Sequence, residues 1–149
     1  MTSDRRQANL WGITCYFNPI GYQRRLQNYH LFRQHLTIPL VAVELAYGDD
    51  FDLGADDADV LIRLRGTDVL WQKERLLNLA LAALPDHCEA VAWLDCDVVF
   101  DDDDWALRAS RALERCSLLQ PFQTVREPSA EGWDTSSGES ADARPGHSL

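Results

Sequence analysis

Between residues 12 and 122 the chain alternates short apolar runs with amphipathic stripes, and that alternation leaves few folds open to it. Gly12-Ile13-Thr14-Cys15-Tyr16-Phe17 is a β-favouring run that closes on Asn18-Pro19, a turn signal. Tyr22, Leu26, Tyr29, Phe32 and Leu36 then recur at steps of three and four, the stripe of a helix that must end before Pro39. Leu40–Leu45 reads as a second strand and Val60–Leu64 as a third, separated by an acidic loop from Gly48 to Asp59. Asp68 can cap a helix over about Val69–Leu84, lined by Leu70, Leu77, Leu81 and Leu84 and stopped by Pro85-Asp86. Val91–Phe100 is the fourth apolar run, and its continuity predicts a strand buried on both faces. A third helix follows, with Trp105, Ala109, Ala112, Leu113 and Cys116 on one stripe. Asp101 to Asp104 fall in its first turn, where the helix dipole favours negative charge. Ser117–Phe122 fits a fifth strand, which Pro121 would confine to an edge or a strand end.

Strand and helix in alternation imply an α/β fold, a mainly parallel sheet flanked by helices. In such sheets ligands bind beyond the carboxyl ends of the strands. Asn18-Pro19, Glu44, Arg65-Gly66 and Asp95-Cys96-Asp97 all fall at such ends, so the pattern predicts a site as well as a fold. A chain of 149 residues, 46% of them apolar, has material for one domain, expected over residues 11–125 after a short N-terminal extension, residues 1–10. Ten of the 24 residues from Arg126 to Leu149 are Ser, Gly or Pro, and only Trp133 and Leu149 are large and apolar. This tail buries too little to offset its ordering entropy and is expected to be disordered.

The formal charge of −10 argues against a nucleic-acid backbone or an anionic membrane surface as partner. Half of the 24 acids lie in two clusters, six aspartates between Asp49 and Asp59 and six between Asp95 and Asp104. The four cysteines form no CxxC pair and have no histidines at metal-ligand spacing. They read as reduced thiols, with Cys15, Cys96 and Cys116 packed in or beside apolar runs. The opening MTSDRRQANL lacks the apolar segment of a signal peptide, and no apolar run approaches the ~20 residues of a membrane span. A soluble, cytoplasmic protein is expected.

The second cluster begins with a pair that carries chemistry. Asp95 and Asp97 are two residues apart, so in a regular strand both point to one face. Carboxylates so placed repel each other unless a proton or a cation lies between them. A hard divalent cation such as Mn²⁺ or Mg²⁺ takes oxygen ligands and keeps positions open for phosphate oxygens. The plainer alternative is that Asp95 ends the strand and Asp97 opens a solvated turn. In the preceding helix Gln72, Arg75 and Asn78 recur at steps of three, either an ordinary solvated face or a polar face toward a ligand.

Trp71-Gln72-Lys73-Glu74-Arg75-Leu76-Leu77-Asn78, then Trp93-Leu94-Asp95-Cys96-Asp97-Val98-Val99, resembles the donor-binding half of GT-A-type nucleotide-sugar glycosyltransferases. The likeness is to the family 2, galactosyltransferase-like group, in which an Asn-Arg-Ala-Lys-Leu-Leu-Asn helix is followed by a strand and Asp-Val-Asp. Leu76, Leu77, Asn78, Asp95 and Asp97 match, Lys73 and Arg75 exchange one cation for the other, and Gln72 and Glu74 depart. The resemblance implies a GT-A fold, Rossmann-like, with Mn²⁺ or Mg²⁺ on Asp95 and Asp97 and the donor in contact with Asp95. It also implies that Tyr16, Phe17 and Asn18 hold the nucleotide, that Glu44 meets base or ribose, and that Lys73, Arg75 and Asn78 face the donor. A UDP-sugar is the implied partner, with an unknown sugar, glycan or small molecule as acceptor.

In that family the acceptor segment follows the Asp-x-Asp strand, whereas only 25 residues, Asp101 to Val125, separate it here from the tail. The chain therefore reads as a donor-binding half whose acceptor half is absent, truncated or supplied by another chain. Glu131 and Asp134 are the bases that the tail could offer, and His147 is a poor metal ligand. Two other readings stay open. One is a nucleotide-sugar-binding protein without transfer. The other is a phosphatase resembling the haloacid-dehalogenase group, in which Asp-x-Asp-x-Thr/Val supplies a nucleophile and a general acid/base around Mg²⁺.

Overall fold

A computed structural model of the chain describes residues 9–67 and 70–127 and the backbone of Arg144–Pro145. Its elements are β1 (Leu10–Phe17), α1 (Gln23–His35), β2 (Leu40–Ala46), β3 (Val60–Arg65), α2 (Lys73–Ala82), β4 (Ala90–Trp93) and α3 (Trp105–Leu113). A two-residue pairing follows, of β5 (Thr124–Val125) with β6 (Arg144–Pro145). The first four strands form one parallel sheet in the order β3-β2-β1-β4. β1, β2 and β3 thus step in one direction, and the chain then returns to place β4 on the far side of β1. Right-handed crossovers running in opposite directions put their helices on opposite faces of a sheet.

The burial follows that rule. Leu40 and Ala42 of β2 face Tyr29 and Phe32 of α1 and Trp105, Ala106 and Ala109 of α3 in one core. Ile13 and Cys15 of β1 and Val41, Val43 and Leu45 of β2 face Leu76, Leu77 and Ala80 of α2 in the other. Alternate residues of one strand serve the two cores, as the pleat requires. At about 2 kcal/mol for a fully buried Leu, the pair Leu76-Leu77 is what fixes α2 to the sheet. Gly12 is where the first core closes most tightly: a Cβ there would stand 3.2 Å from both Leu40 Cδ1 and Leu94 Cδ1.

Several expectations are corrected. β4 has four residues, not ten, and is an edge strand open on one face, with Val91 39% and Trp93 53% exposed. The reason is coverage: α2 packs on β1 and β2 and leaves β4 bare on that face. Asp95 and Asp97 consequently stand beyond the strand, about a turn at Cys96-Asp97, and the same-face argument for a regular strand does not apply to them. α2 begins at Lys73, later than expected. Its buried stripe is Leu76, Leu77 and Ala80, whereas Leu70 precedes the helix and is exposed, as is Leu81. α3 buries Trp105, Ala106, Ala109 and Ser110, leaving Ala112 and Cys116 exposed, and no strand forms over Ser117–Phe122. All four cysteines are free, with Cys15 buried. Asp68, Glu131, Asp134 and His147 lie outside the described residues, as does most of the expected tail. Among the described residues no helix is long and apolar enough to cross a membrane.

The edge position of β4 makes its fastening important. The Thr14 hydroxyl donates to the Leu94 carbonyl at 2.8 Å in a buried bond, and the Leu94 N–H donates to the Ile13 carbonyl at 3.0 Å. Thr14→Val keeps the shape and orphans that carbonyl. It should lower unfolding stability by about 1–3 kcal/mol, read as an earlier urea midpoint at unchanged slope.

Candidate functional site at the β1–β4 crevice

The strand order reverses between β1 and β4, and the crevice outside the carboxyl ends of such a pair is where open α/β sheets bind ligands. The groups that meet there come from four chain segments. β1 delivers Phe17 and the turn Asn18–Gly21, closed by Gly21 N–H to the Asn18 carbonyl at 3.1 Å with Gly21 at φ +71°. Asn18 then fixes the approach to α1: its Oδ1 accepts from the Tyr22 N–H at 2.9 Å and its Nδ2 donates to the Tyr22 carbonyl at 3.1 Å. The segment after β4 delivers Asp95, Cys96 and Asp97.

α2 contributes from its first residue. Because α2 follows a parallel strand, its N-terminus opens at this same edge. Lys73 lies three, four and seven residues before Leu76, Leu77 and Ala80, on the stripe that faces the sheet. Its ammonium is thereby carried over the crevice and is hydrogen-bonded to Asp95 Oδ1. Partial burial pulls the Lys73 pKa down, but the hydrogen bond and charge of Asp95 outweigh it and hold the group above its ordinary range. Arg75, about 200° further round the helix, turns instead to Gln72 Oε1 at 2.9 Å, and Asn78 is exposed.

Two residues absent from the sequence-based list complete the crevice. Arg25 of α1 donates to the Phe17 carbonyl at 2.6 Å and its guanidinium lies 5.6 Å from the centre of the Phe17 ring. Trp71, before α2, meets the same ring edge-on at 6.3 Å and is 71% exposed. Ile20, Tyr22 and Leu70 are also exposed, so the loops at this edge hold much of the exposed large apolar surface. Composition alone marks none of these. The usable signal is topological, an apolar or cationic residue beside the first turn of a helix that follows a parallel strand.

Tyr16 and Glu44 are placed differently. Tyr16 is buried, and its hydroxyl donates to Asp52 Oδ2 at 2.8 Å and accepts from Asn18 Nδ2 at 3.3 Å. Glu44 sits within β2, 2% exposed, and its carboxylate accepts from the backbone N–H of Asp52 at 2.5 Å and of Leu53 at 3.3 Å. Both side chains thus tie the loop after β2 to the sheet. The loop is held from β3 as well, by Arg63 to the Leu53 carbonyl and by Arg65 to the carbonyls of Gly48 and Asp49. Phe51 lies under both guanidinium groups.

The charged groups at this edge include Lys73, Arg25, Asp95 and Asp97, together with Glu74, which accepts from the Trp71 indole at 3.3 Å, and Asp52, which accepts from Asn18 Nδ2 at 3.2 Å. Burial pushes the Cys15 thiol up to about 11 and the Cys96 thiol up to about 12, so both remain neutral near pH 7. Among the described residues no group of three or more His, Cys, Asp or Glu side chains is placed to hold a metal ion. Asp95 and Asp97 offer two exposed carboxylates of the hard-oxygen type that Mg²⁺ or Mn²⁺ takes, so a cation there would need further oxygens from the ligand and water. A cation there would also have to displace the Lys73 ammonium from Asp95 Oδ1.

Burial raises the Glu44 pKa above its ordinary value, more than its backbone hydrogen bonds lower it. A carboxyl raised on folding contributes stability that is present below the unfolded value and lost as pH rises through the folded one. The stability of the wild type relative to Glu44→Gln should therefore fall as pH is taken from 4 to 7 in urea unfolding, and a flat difference would contradict the assignment. Comparison of the chain with known protein families, with curated proteins and with solved structures gives no match in any of the three.

Proposed function

We propose that the chain binds a nucleoside-diphosphate sugar across the β1–β4 crevice in the manner of a GT-A glycosyltransferase, with Mn²⁺ or Mg²⁺ on Asp95 and Asp97. The observation that carries this reading is the reversal of strand order beside β1, with the Asp95-Cys96-Asp97 turn on one side of it and an aromatic ledge on the other. Phe17 and Trp71 present apolar ring surface to a base, and Arg25 and Lys73 present positive charge to a diphosphate. The resemblance of residues 71–100 to the donor-binding segment of that family supports the same placement.

Asp95 and Asp97 would hold the cation, which when bound neutralises charge on a leaving nucleoside diphosphate. The chain's own residues do the rest. Lys73, charged at neutral pH, neutralises Asp95 and can exchange its carboxylate for a phosphate oxygen. Phe17 and Trp71 orient the base, with UDP the favoured nucleotide. Transfer to an acceptor is the activity that the resemblance implies; binding without transfer is the alternative within the same site.

Calorimetry with UDP and Mn²⁺ tests the reading. Binding should be metal-dependent, Asp97→Ala should weaken it at least about tenfold, worth about 1.4 kcal/mol, and Trp71→Ala should weaken it without changing the metal dependence. Failure of UDP to bind with or without Mn²⁺ would sink the proposal. Mg²⁺-dependent hydrolysis of an aryl phosphate, lost in Asp95→Asn, would replace it with the phosphatase reading.

A further inference from the structure

A cavity of about 770 Å³ opens on the α1–α3 face of the sheet, between the turn after β4, α3 and the segment that follows α3. Its volume is in the range of small-molecule sites. One wall is the stacked pair Phe100 and Trp105, with ring centres 4.1 Å apart and planes 14° apart. The floor is α3 at Ala109 and Ala112, three residues apart, where the absence of side-chain bulk makes the room. Leu119 and Phe122, from the segment after α3, also line it. These surfaces are flat and apolar.

The charge around the mouth does not cancel. Asp102 pairs with Arg108 at 2.7 Å and Asp101 with Arg126 at 3.9 Å, which leaves two aspartates answered by two arginines. Asp97 also lines the cavity and makes no ion pair among the described residues. An apolar slot with one uncompensated carboxylate at its rim favours a ligand with a flat hydrophobic body and a cationic end.

We propose that this cavity is a binding site for an aryl-alkyl amine or a ligand of the same chemistry, its ring between the Phe100–Trp105 wall and Phe122 and its ammonium on Asp97. The site is distinct from the donor crevice and needs neither nucleotide nor metal. The two share Asp97, so an amine in the cavity and a divalent cation on the Asp95–Asp97 pair would compete for one carboxylate; that linkage alone rests on the reading given above.

The test is titration of the full chain, without metal or UDP, with 2-phenylethylamine, 2-phenylethanol and ethylbenzene, followed by calorimetry and by amide shifts in ¹H–¹⁵N spectra. The amine should bind most tightly and ethylbenzene least, with shifts confined to residues 97–126 and to α1 around Asn28 and Leu31, which also line the cavity. Asp97→Asn should cost the amine at least about tenfold and bring it to the level of the alcohol. Ala112→Trp, at an exposed helix position, should abolish binding of all three by filling the slot while leaving any UDP affinity unchanged. Asp95→Asn should leave amine binding intact, which separates failure of the donor reading from failure of this one. No saturable binding of the amine, equal affinity in Asp97→Asn, or binding that survives Ala112→Trp would each overturn the proposal.

Discussion

The pairing of β1 with β4 is the contact on which the rest of the molecule depends. β1 bonds to β2 over Gly12 to Phe17 but to β4 only over Leu10 to Ile13. The fourth strand ends while the first is still running, and the chain beyond it is free to turn. Thr14, buried in β1, holds that departure with its hydroxyl on the Leu94 carbonyl. With the Leu94 N–H on the Ile13 carbonyl, it sets where the chain to Asp95 and Asp97 leaves the sheet, while α3 is held by its own core packing. The crevice is thus a consequence of unequal strand lengths, with the departing chain fastened at Leu94.

The same economy governs the acids. Of the first cluster, Asp52 accepts from Tyr16, Asp57 accepts from the Gly54 N–H, and Asp59 accepts from the Leu40 N–H and from Arg33. Those carboxylates fold a connection that has no helix of its own beyond the short turn Ala55–Asp57. The second cluster divides. Asp102 accepts from the Asp104 N–H and from Arg108 at the start of α3, while Asp95 and Asp97 stand apart on the turn. A net charge of −10 is tolerated because much of it is spent locally on backbone N–H groups and arginines.

Much of the fold was legible because β1 and β2 bury the residues whose run announces them and α1 buries Tyr29 and Phe32 of its stripe. β3 is only half-buried, and Tyr22 stands exposed before its helix. What escaped were facts about neighbours. Val91 and Trp93 are as apolar as any core residue, and only the absence of a helix over β4 leaves them exposed. Leu70 and Trp71 extended the apparent helix because an apolar loop residue and a helical one look alike in a string. Lys73 and Arg75 are equivalent cations in composition, and the phase of Leu76 and Leu77 decides which reaches Asp95. Glu44 looked like a strand end, yet β2 runs two residues further and the loop after it folds back to cover the carboxylate. Arg25 reaches the site through a contact with Phe17, eight residues away across a turn, which no helical periodicity encodes.

The Lys73–Asp95 pair shows why a site can be written into such a small sheet without unfolding it. Asp95 is about half exposed, so the ion pair adds little to stability and costs little to open. The fold is held by Leu76, Leu77 and the buried strands, whose energies do not change if the ammonium swings away. Under the donor-binding reading an incoming diphosphate offers Lys73 a new partner as good as the one it leaves. Asp95 would then be free to share a cation with Asp97. Under that reading, phosphate binding at Lys73 and cation binding at Asp95 would favour each other, because each relieves the other of the partner it must give up.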